Sequence, residues 1–195
     1  MGAKSKLRGN QAERELCKLL SGILSGSFVR VPNSGAAVGG KHVSRRQTLS
    51  RTQDRVFRGD IIPPDHLPHL VVESKSYASF AFHALLQPGP CPLLDEWIAQ
   101  TLDVVDVADV WFVAFKIRFL GWYMVIPETP CADYQFGNYC AYTGVHGSFR
   151  VTDLRTFLLT NREMVLRLAG SDLTKSQLMV EPQDYGISDP DHLAA

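Results

Sequence analysis

The chain of 195 residues contains no apolar run of 18 residues, so no segment reads as a membrane-spanning helix. No secretory leader and no transit-type segment is legible, which predicts a cytoplasmic protein. Cysteine is scarce and scattered: Cys17, Cys91, Cys131 and Cys140 include no C-x-x-C pair, which argues against a disulfide framework and leaves four reduced thiols. Cys131, Cys140 and His146 fit no strong zinc spacing. Internal repeats are absent, and so is a net charge of either sign. What remains is a chain 45% hydrophobic, enough to bury one good core and with nothing that requires two domains.

The most informative pattern is Asp60, Glu73 thirteen positions later, and Lys75 two beyond that. Glu73-Ser74-Lys75 ends the apolar run His69-Leu70-Val71-Val72, which predicts a half-buried strand. On a strand Glu73 and Lys75 share a face, while Ser74 points away and leaves its backbone carbonyl as a hard oxygen donor. Asp60 lies in Arg58-Gly59-Asp60-Ile61-Ile62, a predicted short strand that can turn through Pro63-Pro64 and pair with the first. Two carboxylates and an ammonium converging between strands suit Mg²⁺, with Mn²⁺ as a substitute. Such an ion neutralises charge developing on a phosphate and acidifies water, and a nearby lysine orients that water. A strand-edge salt bridge between solvated side chains gives the same pattern.

A helix is predicted over residues 8–24, where Leu16, Cys17, Leu19, Leu20, Ile23 and Leu24 span one arc. Glu13 falls inside that arc and Glu15 outside it. A carboxylate on a core-facing stripe is costly unless paired, capped or bound to a metal. Asn10 with Glu13 three residues later also resembles a capping box, so a cap and a metal role both stand.

In this order the helix Arg8-Gly9-Asn10-Gln11-Ala12-Glu13-Arg14-Glu15-Leu16, the turn Val31-Pro32-Asn33-Ser34-Gly35, the strand Gly59-Asp60-Ile61-Ile62 and the strand Val71-Val72-Glu73-Ser74-Lys75 resemble the PD-(D/E)xK nuclease superfamily, most closely the archaeal-type Holliday-junction resolvases. The resemblance covers roughly residues 6–126. It implies an α/β fold with a restriction-endonuclease-like core, a mixed central sheet flanked by helices. It also implies that Glu13, Asp60 and Glu73 hold a metal, with Ser74 contributing its carbonyl, and that Lys75 assists the water. Ser34 corresponds to a serine that is functional in some relatives, although the segment between it and Asp60 is longer than relatives usually have. The implied activity is metal-dependent cleavage of DNA, branched in the resolvases, by a homodimer. The alternatives are the same chemistry on duplex, ends or damaged DNA, and a DNA-binding relative without catalysis.

The zero net charge is a cancellation. Residues 1–58 hold 12 Lys and Arg against 3 Asp and Glu, and the remainder 8 against 17. Lys41, Arg45, Arg46, Arg51, Arg55 and Arg58 fall in a Gly/Ser/Thr/Gln-rich stretch without apolar periodicity, read as a basic loop inserted at about 36–58 that a DNA backbone would order. Such contacts carry no sequence information. A short helix is predicted over 77–86 and an amphipathic one over 93–108, with Gln100 a boundary residue of its inward face. Strands are predicted over 110–116 and 120–126, turning at Arg118-Phe119. The stretch 127–148, with Tyr134, Phe136, Tyr139 and Tyr142, reads as a small subdomain or subunit contact, or as a base-stacking surface. A helix over 153–168 capped by Thr152 completes a nuclease domain of residues 1–170, followed by a polar tail at 171–195.

Overall fold

A computed structural model describes residues 3–32, 58–87, 89–128 and 133–170. Its centre is a seven-stranded mixed sheet. The strands are β1 (Val29–Arg30), β2 (Ile61–Ile62), β3 (Leu70–Tyr77), β4 (Val110–Ile117), β5 (Gly121–Pro127), β6 (Tyr139–Gly144) and β7 (Gly147–Asp153). They lie in the order β1-β2-β3-β4-β5-β7-β6. Only β3 and β4 run parallel, with Glu73 beside Val113 and Lys75 beside Phe115; the other neighbours are antiparallel. The expected α/β fold with a mixed sheet between helices is present.

Strand alternation divides the core into two layers. Leu70 and Val72 of β3 and Phe112 and Ala114 of β4 pack under α1 (Ala3–Leu24) together with α3 (Leu154–Thr160) and α4 (Arg162–Ala169). Val71, Trp111, Val113, Phe115 and Ile117 face the opposite side, against Leu94, Trp97 and Ile98 of α2 (Pro92–Leu102). Burying both faces of β4 explains why residues 110–115 read as one unbroken apolar run. Among the described residues no helix is long and apolar enough to cross a membrane.

Several boundaries differ from the sequence expectation. α1 begins at Ala3, five residues early, so Asn10 and Glu13 lie inside the helix rather than at its start. Ile61 and Ile62 alone form β2, and the Arg58-Gly59-Asp60 approach is a bend. β3 runs on through Tyr77, and the predicted helix shrinks to a 3₁₀ turn over Phe82–Leu86. α2 stops at Leu102; Val104 remains buried from the turn that follows, where Asp106 donates its N–H to Asp109 Oδ2 at 2.7 Å.

The aromatic stretch is no separate subdomain, because β6 and β7 extend the same sheet through β5. Tyr142 is buried there, and its hydroxyl accepts the Cys91 N–H at 2.9 Å. Tyr134 and Phe136 pack on Phe157. Thr152 belongs to β7, and Asp153 is the cap, accepting the Thr156 N–H at 2.7 Å. The single helix expected over 153–168 breaks at Asn161, whose side-chain amide bonds the Gln135 backbone through both its oxygen and its nitrogen. A buried amide with that many bonds outweighs one more helical turn.

Candidate active site

The site forms where β2 parts from β3. Ile61 pairs with Val72, and the Asp60 N–H reaches the Val72 carbonyl at 3.0 Å while its own carbonyl accepts the Val31 N–H at 2.8 Å. Before it, Gly59 takes φ +68°, and a Cβ there would lie 2.6 Å from the Val72 carbonyl oxygen. Only glycine lets the chain pass so close in that conformation. The bend turns the Asp60 side chain along β3, where Oδ2 accepts the Ser74 N–H at 2.9 Å. The carboxylate thus serves a β3 N–H beyond the end of β2, and Asp60 is 7% exposed.

Glu73 and Lys75 share the parity of Val71 and so face α2. Lys75 Nζ donates to Glu73 Oε1 at 2.9 Å and to Gln100 Oε1 of α2 at 2.7 Å, and Gln100 Nε2 donates to Glu96 at 3.2 Å. Burial pushes the Glu73 carboxyl up to about 7; the Asp60 charge and a hydrogen bond with Asp60 add to this, and Lys75 opposes it. A carboxyl raised by a neighbouring carboxylate marks a surplus of negative charge at this place.

Glu13 comes from α1 on the other side of the sheet. Its Oε2 accepts from Arg30 Nε of β1 at 2.5 Å, and Arg30 Nη2 also reaches Asn10 Oδ1 at 3.1 Å. Burial raises the Glu13 pKa, the Arg30 hydrogen bond opposes that rise, and the Asp60 charge adds to it. The capping reading therefore falls: Glu13 sits in mid-helix and is satisfied by a strand arginine. Glu15, expected to point away, is ion-paired with Lys116 of β4.

Asp60 and Glu73 offer hard oxygens that repel each other without a cation, and that fits Mg²⁺ or Mn²⁺. Among the described residues no three acidic, His or Cys side chains form a ready ligand cluster. Glu13 is held by Arg30, and Asp60 and Glu73 are neighbouring carboxyls on the bend before β2 and on β3.

The model of the family described as "Phage putative PDDEXK endonuclease" matches residues 4–164. The chain belongs to that family. No curated protein and no solved structure gives a match. The matched span includes Asp60 on the bend before β2 and Glu73 and Lys75 on one face of β3.

The remaining expected site residues divide in two. Ser34, Lys41, Arg45, Arg46, Arg51 and Arg55 lie outside the described residues, as does Cys131. The guanidinium of Arg58 is ion-paired with Asp106 and with Asp109 Oδ2, the latter at 2.8 Å. It anchors the entry to Asp60.

Three contributors were missed from sequence. Arg30 is an arginine inside the apolar run Phe28-Val29-Arg30-Val31, a signal that was there to read. Gln100 is drawn in by Lys75 although helical periodicity gave it only an edge. Gly59 needed the strand crossing to be known.

Proposed function

We propose that this PD-(D/E)xK protein is a Mg²⁺-dependent DNA endonuclease, Mn²⁺ substituting, that hydrolyses phosphodiesters of branched DNA as a Holliday-junction resolvase in recombination and repair. What supports it most is the pairing of buried Asp60 with half-buried Glu73, with Lys75 on the same strand face as Glu73. Asp60 and Glu73 would hold the ion, with the Ser74 carbonyl as a further oxygen. When bound, the ion supplies charge neutralisation at the phosphate and acidifies water.

The chain's own groups do the rest. Lys75, steadied by Gln100, holds a cation and three donors beside the reacting phosphate, where it orients the attacking water. Glu13, fixed by Arg30, acts through water rather than by direct contact with the ion, and Ser34 joins it. Lys41, Arg45, Arg46, Arg51 and Arg55 contact phosphates as an inserted segment of one nuclease domain, residues 1–170. Two symmetric cuts require two sites, which a cytoplasmic homodimer supplies.

A second reading, the same chemistry on duplex, ends or damaged DNA, is favoured by the family description, which names an endonuclease and no branched substrate. Cleavage of a four-way junction, plain duplex, flap and single strand, each with Mg²⁺ and with EDTA, separates the two. Junction-selective, EDTA-sensitive cutting is expected. Equal cutting of plain duplex favours the second reading, and no cutting of any substrate overturns both.

A further inference from the structure

The turn between β4 and β5 holds an aromatic residue that serves neither packing nor backbone. Leu120 donates its N–H to the Ile117 carbonyl at 3.1 Å, closing a turn whose third residue is Phe119. Phe119 takes φ +65°, a conformation that such turns reserve for glycine or asparagine and that is a genuine outlier for a bulky side chain. Phe119 is 90% exposed. Among the described residues its ring contact is with the Arg118 guanidinium, 4.6 Å from the centroid. Strain kept without burial points to a role outside the fold.

The turn also stands at the end of the catalytic strand. Arg118 donates its N–H to the carbonyl of Tyr77 at 3.1 Å, the last residue of β3 and two beyond Lys75. At about 3.3 Å per residue the tip lies roughly 10 Å past Lys75 along the strand, about three stacked base steps. Leu120 beside it is exposed as well. A cation next to an open aromatic face is what a nucleic-acid strand with an unstacked base presents a match for: the guanidinium takes phosphate and the ring takes the base.

We propose that Phe119 stacks on an unpaired DNA base a few nucleotides from the cleaved phosphate, with Arg118 on the adjoining phosphate, so that this tip selects branched or frayed DNA over plain duplex. This rests on the nuclease reading of the Asp60–Glu73–Lys75 site. Full-length protein, Phe119→Gly and Phe119→Trp would be titrated, with Ca²⁺ in place of Mg²⁺, against a four-way junction with unpaired bases at its centre and against plain duplex. Melting temperature and sedimentation would be followed in parallel.

Phe119→Gly should bind the junction about tenfold more weakly and plain duplex within twofold of wild type. Its melting temperature should be unchanged or higher, since glycine relieves the positive φ. Phe119→Trp should keep junction affinity, and its added indole should be quenched on the junction and not on duplex. Unchanged junction affinity in Phe119→Gly overturns the proposal, and so does equal loss on both probes. A change in sedimentation overturns it too, by assigning the tip to a contact between copies. If wild type neither binds nor cuts DNA, the nuclease reading itself fails; if wild type does both and Phe119→Gly matches it, only the tip proposal fails.

Discussion

Glu73 is the residue on which burial, charge and chemistry meet. Its carboxyl is raised from an ordinary 4.5 to about 7 by burial and by Asp60. A carboxyl raised on folding contributes fully below about pH 4.5, and its contribution is lost as pH rises through about 7. Without a divalent ion, Glu73→Gln should therefore be more stable than wild type at pH 8, by roughly 3 kcal/mol at most, with little difference at pH 4.5; chemical denaturation at the two pH values measures this. An ion held by the ionised pair reverses the penalty. Mg²⁺ should raise the wild-type melting temperature more at pH 8 than at pH 6 and should do little for Glu73→Gln. An equal Mg²⁺ effect at both pH values would remove Glu73 from the ligand set.

At the scale of elements, the bend before β2 and the long α1 set the site. Gly59→Ala forces a Cβ to within 2.6 Å of the Val72 carbonyl oxygen at a positive φ. It should cost about 2 kcal/mol or more in stability and displace Asp60; a melt and a cleavage rate on the same preparation check both. On α1, Glu13→Gln can still accept from Arg30 and should fold normally, yet lose activity at low Mg²⁺ with partial recovery at high Mg²⁺ or in Mn²⁺. Glu15→Gln, which gives up only a partly exposed pair with Lys116, should stay active at a cost of about 1 kcal/mol or less. If both cleave like wild type, Glu13 has no part in the chemistry. These elements also show what the sequence could tell. Strand parity alone placed Glu73 beside Lys75, and β4 and β5 were legible from their β-branched and aromatic runs. Arg30 interrupts the apolar run Phe28-Val29-Arg30-Val31 visibly, but β1, with two residues, was too short to carry a period that would assign it a face. The Asn161 break was hidden because its partner, the Gln135 backbone, is 26 residues away. β6 and β7 were missed because glycines and polar residues obscure their alternation.

For the whole molecule, the division of charge between residues 1–58 and the rest predicts binding dominated by phosphate contacts. Replacing Lys41, Arg45, Arg46 and Arg51 together by Gln should weaken binding to all DNA sequences alike. It should also flatten the salt dependence by up to about 0.9 log units per lost contact on duplex DNA. An unchanged slope would show that the segment is a bystander. The central claim is that Asp60, Glu73 and Lys75 form one metal-dependent nuclease site, and Asp60→Asn tests it most directly. Single-turnover cleavage of a DNA substrate that wild type cuts in Mg²⁺ would be measured for both proteins, with DNA affinity followed in parallel. Cleavage should fall by several orders of magnitude at near-unchanged affinity. Wild-type cleavage by Asp60→Asn would contradict the assignment.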